Sequence, residues 1–444
     1  MYFGLNPNFK KSMMKKPLLF AMLLLLSNIN VEAQTLYFPP IDNNATWETT
    51  DPATLGWCPD RINTMYDFLE QENTKGFLIL KDGRIVLEQY FGTFTAQSLW
   101  YWASAGKTIT SFLVGKAQEE NLLSINNKTS TYLGEGWTNC TLAQENNITV
   151  RNQLTMTSGL NDGGADNHCT ANTCLEYLAD PGTRWAYHNA PYTLLESVLE
   201  NATGQTINNY TQSKLKTPTG MTGFWTTIDY DNVYFSNVRS MARFGLLIQG
   251  NGAWNGNQLI NAVYYNDMIN TSQDLNKSYG YLWWLNGKQN FMVPTSQIVF
   301  PGSYAPDAPT DMIAGLGKNG QFVSISPSNG MVMIRMGDAP DSSEVPFILC
   351  NQIWQHINNL DCNLALNENQ TEKISIYPNP SESIVHISNL NHDNYEVKVT
   401  SLVGKVLIQK SNSPQIDISG LSKGIYMITV HQGERTLTKK LIKN

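Results

Sequence analysis

The chain has 444 residues, more than one typical domain needs, and 41% of them are hydrophobic against 15% charged. That composition builds a large core and argues against a disordered chain. A formal charge of -7 argues against a nucleic-acid partner, because such binders draw their affinity from clustered Lys and Arg.

The charge is unevenly spread. Residues 1–33 carry four Lys and one Glu, and residues 371–444 carry nine Lys or Arg against six Asp or Glu. The stretch between holds 17 basic and 30 acidic residues, a balance of −13. Three compositions predict three roles.

Residues 1–33 have the layout of a secretory signal. Lys10, Lys11, Lys15 and Lys16 precede the apolar run Leu18 to Leu26, and Val31-Glu32-Ala33 offers a cleavage site. The apolar run is too short to span a hydrocarbon core, which needs about 20 residues. The expected mature chain begins at Gln34 and keeps no transmembrane anchor after cleavage.

Within 34–362 the pattern predicts a helix over Asp60 to Glu72. Two strands follow, Phe77 to Leu80 and Ile85 to Tyr90, joined by the turn Lys81-Asp82-Gly83-Arg84. A helical block is expected from about 104 to 272. Strands return at Tyr279 to Leu285, Gln321 to Ser326 and Met331 to Met336, and a last helix runs from about Glu344 to Asn358. Strands on both sides of a helical insert imply one sheet built from distant parts of the chain, an α+β class. Residues 363–372 are polar and read as a linker. Over 373–444, short alternating runs at Ile374 to Tyr377, Ile384 to Ile387, Val397 to Thr400, Val406 to Gln409 and Ile425 to Val430 predict a small all-β sandwich.

Chemistry concentrates in three motifs. Ser104-Ala105-Gly106-Lys107 opens an apolar helix through Thr108, Ile109, Phe112, Leu113 and Ala117. Residues three apart share a helix face, so the lysine amine can reach the serine hydroxyl. Burial would lower the amine's pKa and let it accept the serine proton. Tyr187-His188-Asn189 comes next, where a phenol could relay a proton and Asn189 could orient the lysine and a substrate amide. Lys318-Asn319-Gly320 precedes the strand beginning at Gln321. There Lys318 could hold a substrate carboxylate, Gly320 could admit substrate backbone, and the Gln321 N–H could form an oxyanion hole with that of Ser104. Taken singly, each motif also fits an ordinary cap or turn.

The order of the three motifs resembles the serine β-lactamase and penicillin-binding superfamily, whose nucleophile is a serine. The likeness is closest to the class C branch with its related esterases, D-aminopeptidases and oligoamide hydrolases. It is supported by Ile148 to Leu160, Pro181-Gly182, Met241 to Gly245 and Tyr279 to Trp284. The resemblance implies a β-lactamase/transpeptidase-like fold, an antiparallel sheet flanked by helices plus a helical subdomain. It further implies Ser104 as acylating nucleophile, Lys107 as its base partner, Tyr187 as general base or acid, and Asn189, Lys318, Gly320 and Gln321 as substrate or oxyanion contacts. Asn319 stands where the family has Thr or Ser, which weakens carboxylate recognition. The activity so implied is cleavage of amide or ester bonds in a small-molecule or peptide substrate, with no metal or organic cofactor. A β-lactamase or D-amino-acid peptidase proper, or a catalytically silent surface protein, are the alternatives.

The C-terminal segment resembles the sorting domain of the Bacteroidetes type IX secretion system. The likeness rests on Ile376-Tyr377-Pro378-Asn379-Pro380, Leu402-Val403-Gly404-Lys405, Leu421 to Tyr426, and the basic end at Lys439, Lys440 and Lys443. It implies the type IX machinery as partner and a secreted or cell-surface location in a Gram-negative bacterium, reached through the periplasm.

Six cysteines in an exported chain fit oxidising conditions but allow 15 pairings. His168-Cys169 with Cys174 could suggest zinc, but a local loop disulfide is the simpler expectation. The resemblance places Cys58 near Cys362 and leaves Cys140 and Cys350 unassigned. His188 is expected to face away from the site.

Overall fold

A computed structural model describes residues 36–42, 45–164, 166–338, 343–362, 375–388, 394–402, 404–432 and 435–444. The expected signal segment and linker lie outside the described residues. The chain divides into two compact units, one ending at Asp361 and the other beginning at Cys362.

The first unit is organised by a six-stranded antiparallel sheet. In chain order its strands are β1 (Thr74–Lys81), β2 (Arg84–Tyr90), β3 (Trp284–Leu285), β4 (Ile313–Gly317), β5 (Gln321–Ser326) and β6 (Met331–Gly337). Across the sheet the order is β2-β1-β6-β5-β4-β3. The β1–β2 hairpin turns at Asp82 and Gly83, both at positive φ (48° and 86°), as a tight hairpin turn requires. Strand β1 pairs with β6 in register Leu78↔Ile334, so the start and end of the unit close one sheet.

Both faces are covered, which is why β4, β5 and β6 are buried at every position. Burial on both faces removes the in-out alternation of a half-exposed strand, and the polar residues in these strands, Gln321, Ser324, Ser326 and Arg335, are buried as well. One face takes helix α4 (Val238–Gln249): a methyl on Gly245 would lie 2.5 Å from Val332 Cγ1, so the helix backbone rests directly on β6. The other face takes α1 (Pro59–Gln71) and α5 (Phe347–Asn358), joined by a Phe68–His356 stack at 4.3 Å and by Arg61 Nη1 donating to Asn359 O at 2.9 Å. Arg335, fully buried beneath this face, closes the seam between β1 and β6. Its Nε donates to Thr74 Oγ1 (2.9 Å), Nη1 to the carbonyls of Asn319 (3.0 Å) and Gly320 (2.8 Å), and Nη2 to those of Glu72 (2.5 Å) and Asp338 (3.0 Å).

The insert between β2 and β3 holds α2 (Lys107–Glu119) and α3 (Leu195–Thr203). Helix α2 is buried nearly all round, from Lys107 through Gly115, and Gly115 lets it touch Tyr264, whose ring atoms lie 2.2 Å from a built Cβ. The insert is not purely helical, contrary to the pattern over 104–272. A three-stranded sheet of Trp100–Tyr101, Asp231–Ser236 and Phe224–Ile228 runs along it. Most of Tyr279 to Leu285 also departs from the expected strand. Only Trp284–Leu285 form a strand, with Tyr279 bridging back to Trp284, because Leu282 takes φ 62° and turns the chain.

The second unit is a sandwich of two antiparallel sheets. Ser375–Tyr377, Ile384–Ser388 and Gln415–Asp417 form one, and Val406–Ser411, Tyr395–Ser401, Gly424–Gln432 and Arg435–Lys443 form the other. Val385, Ile387, Val397, Val399, Ile416, Ile418, Ile428, Val430 and Leu441 fill the space between. Asn379 of the Pro-Asn-Pro motif is tied to the last strand, donating to Lys440 O (2.7 Å) and accepting from Ile442 N (2.8 Å).

Cys169 and Cys174 form a disulfide, Cys58 and Cys362 are disulfide-bonded as well, and Cys140 and Cys350 are free thiols. Cys58 N donates to Leu360 O at 2.8 Å, which brings the start of α1 beside the end of the α5 segment. No helix among the described residues is long and apolar enough to cross a membrane.

Candidate active site

Ser104 sits in a 3-10 turn, Ala103–Gly106, that runs straight into α2. Trp102 anchors the turn: it is fully buried, its backbone N donates to Tyr234 O (2.8 Å), and its Nε1 donates to Ser236 Oγ (2.8 Å). Ala103 is held at φ 46°, a costly conformation for a residue with a side chain and one found mainly where surroundings over-determine it. The turn abuts the end of β4. A methyl on Gly317 would come within 2.5 Å of Trp102 O and 3.1 Å of Ser104 N, so only glycine lets the strand lie this close.

Lys107 follows one turn later and is 3% exposed. Its Nζ lies 2.8 Å from Ser104 Oγ and donates to Asn189 Oδ1 at 2.8 Å. It also lies 4.2 Å from the Tyr192 ring centre and 5.1 Å from that of Tyr187. Burial pushes the amine down to about 7, because the charged form loses its hydration. At neutral pH the neutral amine is thus well populated and can accept the serine proton.

Tyr187 is buried against Trp284 (stacked, 5.8 Å) and edge-on to Tyr279 (6.3 Å). Burial raises its phenol well above the ordinary value, more than the hydrogen bond to Ser104 lowers it. The phenol therefore keeps its proton at neutral pH. His188 is buried behind the cleft rather than in it, its Nδ1 has no hydrogen-bond partner among the described residues, and burial pushes it down to about 4.

The third motif is placed differently from its sequence reading. Lys318-Asn319-Gly320 forms the tight turn between β4 and β5, closed by the Gly317↔Gln321 pair. Lys318 lines the cleft but is ion-paired with Glu344 (3.3 Å). Asn319 has φ 63°, a left-handed conformation that Asn tolerates and a β-branched Thr does not, and its Nδ2 donates to Tyr101 OH (2.6 Å). Gly320 and Gln321 do not reach the cleft. Gly320 is small because a Cβ there would strike Arg335 Nη1 at 2.1 Å. Gln321 is fully buried, bonded through its side chain to Gly337 O (2.6 Å) and Gly337 N (3.0 Å). The backbone against Ser104 belongs instead to β4, the Ile-Ala-Gly-Leu-Gly run that the sequence reading passed over.

Three further residues converge on Asn189. Asn167 Oδ1 accepts from Asn189 N and Nδ2, both at 2.9 Å. His168 Nε2 lies 3.2 Å from Asn189 Nδ2, and its Nδ1 lies 2.8 Å from Asp231 Oδ1. The Asp231 carboxylate raises the imidazole above its ordinary value. Asn167 has no local motif to mark it, and the signal at His168, its place beside Cys169 and Cys174, points to zinc or a disulfide rather than to this contact. Asp231 follows a two-residue hairpin turn, Asp229-Tyr230, in a segment expected to be helical.

These groups surround a cleft of about 380 Å³, whose rim carries Asp166, Asp229, Asp231 and Glu344. Among the described residues no group of three or more His, Cys, Asp or Glu side chains is placed to hold a metal ion.

An antiparallel sheet carrying a serine turn at its edge, with a helical insert above, defines the β-lactamase/transpeptidase fold. The chain belongs to the β-lactamase family: residues 67–344 match the Beta-lactamase family model. Residues 375–444 match the model of the secretion system C-terminal sorting domain. An Escherichia coli (strain K12) protein provisionally named a D-alanyl-D-alanine carboxypeptidase is 21% identical over 420 residues, covering 74% of this chain and 92% of its own. Among solved structures, a Bacillus anthracis protein provisionally named a 6-aminohexanoate-dimer hydrolase superposes with TM-score 0.55 at 18% identity, over 75% of this chain and 90% of its own. A family VIII carboxylesterase does so with TM-score 0.53 at 14% identity, over 71% and 99%. At these identities the structural likeness is one of fold.

Proposed function

We propose that the chain is an exported serine hydrolase that cleaves amide or ester bonds through an acyl-enzyme on Ser104. The observation that carries this reading is the buried Lys107 amine, 2.8 Å from Ser104 Oγ and lowered to about 7. Ser104 Oγ attacks the acyl carbon and its proton passes to neutral Lys107. The developing oxyanion is met by the Ser104 N–H and by the backbone at the Gly317–Lys318 strand end beside it, where fixed dipoles cost no reorganisation. The C–N or C–O bond then breaks, and Tyr187, held as a protonated phenol, or protonated Lys107 supplies the leaving group's proton. Water hydrolyses the acyl-enzyme and restores Ser104.

The cleft favours neutral or amine-bearing substrates over carboxylates. Lys318 is paired with Glu344, Asn319 is turned to Tyr101, and four carboxylates line the rim. Esters and D-amino amides are therefore expected to turn over faster than a cephalosporin. The sorting domain supports secretion or surface display by a type IX pathway, following a periplasmic passage.

The test is intact-mass analysis after an acylating or phosphonylating probe, with a panel of p-nitrophenyl esters, D-amino amides and a cephalosporin. A single adduct on Ser104 and loss of turnover in Ser104→Ala are expected. No adduct on the wild type, with hydrolysis surviving Ser104→Ala, would overturn the reading.

A further inference from the structure

We infer that Asp231 and His168 form a positioning relay that fixes the Asn189 amide, and through it the lone pair of Lys107. The inference rests on the acyl-enzyme reading above and extends it to residues outside the three motifs.

The argument is one of hydrogen-bond polarity. An Asn side chain has an accepting end and a donating end, and its function depends on which faces which neighbour. Asn189 must present Oδ1 to Lys107, because then an amine N–H is taken up by the amide and the nitrogen lone pair is left for Ser104 Oγ. A flipped amide would turn its NH2 group on Lys107 and compete with Ser104 for that lone pair.

Three residues determine the orientation. Asn189 Nδ2 carries two protons, and two acceptors face it: Asn167 Oδ1 at 2.9 Å and His168 Nε2 at 3.2 Å. Asn167 cannot itself flip without loss, since its Nδ2 donates to the carbonyls of Asp162 (3.3 Å) and Tyr187 (3.4 Å) while Oδ1 also takes Asn189 N. His168 Nε2 accepts only if the ring proton sits on Nδ1. Asp231 Oδ1, 2.8 Å from Nδ1, selects that tautomer. The chain of contacts thus runs Asp231–His168–Asn189–Lys107–Ser104.

The three supports come from two separate parts of the insert. Asn167 and His168 lie on a loop closed immediately afterwards by the Cys169–Cys174 disulfide, and Asp231 begins the second strand of the hairpin that walls the cleft. None of them touches the reacting atoms, so they are positioning residues.

The relay has a pH signature. The charged and titratable groups acting on His168 are Asp231 from the hairpin, Asp166 from its own loop and Lys107 from α2, and His168 in turn acts on His188. Activity falls on the acid side as Lys107 itself takes up a proton, and protonation of His168 adds to that fall, because it makes Nε2 a donor against the Asn189 donor and breaks the arrangement. Asp231 raises both His168 and Lys107, so removing its carboxylate should move the acid limb to lower pH, and by less where His168 is already Gln.

The full-length chain is tested as His168→Leu, His168→Gln and Asp231→Asn, with Ser104→Ala in parallel. Readouts are p-nitrophenyl butyrate kinetics from pH 5 to 9 and the rate of fluorophosphonate labelling, with circular dichroism to verify folding. Misplacing a catalytic group by about 1 Å costs on the order of 100-fold. His168→Leu should accordingly lower kcat and labelling by roughly 10- to 100-fold with little change in KM. His168→Gln, which restores an acceptor to Asn189 Nδ2, should recover most of the loss. Asp231→Asn should shift the acid limb downward. A folded His168→Leu with wild-type kcat, a His168→Gln no better than His168→Leu, or an acid limb unmoved in Asp231→Asn would each overturn the relay. A wild type that neither hydrolyses nor labels at Ser104 would instead overturn the acyl-enzyme reading beneath it.

Discussion

Burying a lysine at the centre of the insert makes stability depend on pH in a way that isolates Lys107. Its amine titrates at about 7 in the folded chain against an ordinary 10.5. Between those values the unfolded chain binds the extra proton, so stability rises as pH increases from 7 to 10.5 and is lowest, and flat, below 7. Each pKa unit is worth about 1.4 kcal/mol. The cost of keeping this lysine folded is then roughly 4 kcal/mol at pH 7 and falls to about 1 kcal/mol at pH 10. Lys107→Met keeps the length of the side chain and removes the titration, but leaves Asn189 Oδ1 without its donor, at about 1–3 kcal/mol. The variant should therefore be inactive, more stable than wild type at pH 7 by about 1–3 kcal/mol, and level with it or less stable at pH 10. The change of roughly 3 kcal/mol between the two pH values does not depend on the hydrogen-bond cost, since that cost is the same at both. Urea unfolding followed by tryptophan fluorescence measures it cleanly, because all 11 tryptophans precede residue 355 and report on the first unit alone. A stability difference between variant and wild type that stays constant from pH 7 to pH 10 would refute the claim that burial has depressed this amine.

Gly317→Ala places a methyl 2.5 Å from Trp102 O, which displaces the serine turn or β4. Turnover and Ser104 labelling should fall by about 100-fold, and a variant labelling at the wild-type rate would show that the strand end does not set the nucleophile. Asn319→Thr puts a β-branched residue at φ 63°. It should lose about 1–3 kcal/mol, whereas Asn319→Gly should lose less, as thermal unfolding of the pair would register. Arg335→Met strips the donors from Thr74 and from the carbonyls of Glu72, Asn319, Gly320 and Asp338. A loss of at least about 3 kcal/mol by urea unfolding is expected.

The motifs that could be read from sequence were those with short spacing or strong local patterning. Ser104 and Lys107 share a helical turn, so three positions of separation sufficed to bring them together. Asn189 opens its own helix, and its pairing with Lys107 across 82 positions was supplied by motif order rather than by any local rule. The Lys318 motif does precede a strand, as its position predicts, but the strand beside the serine turn is the one before it. The left-handed Asn319 makes the motif the exit turn of that preceding strand. Strand β4 escaped notice because Gly315 and Gly317, chosen for close approach to the serine turn, give it the composition of a loop. His168 and Asp231 are 63 positions apart; the cysteines beside His168 point to a metal or a disulfide, and nothing local distinguishes Asp231 from a solvated loop residue. In the sandwich, Gln415–Asp417 and Arg435–Lys443 were missed for a related reason. The first is three residues long, and the second has three apolar residues, Leu437, Leu441 and Ile442, among Arg, Thr and Lys without regular alternation.

The seam closed by Arg335 also sets an order of events. Its partners Thr74 and Glu72 precede it by 261 and 263 positions, and β1 has no neighbour on that side until β6 has been made. A nascent chain that has emerged as far as Asn189 already carries Ser104, Lys107 and Tyr187, yet lacks the strand that buttresses the nucleophile. Contacts this distant in sequence form slowly, because loop-closure entropy must be overcome first. Assembly of the first unit therefore waits for a chain made past β6, and on the proposed reading a nascent chain still short of that strand would be a poor hydrolase.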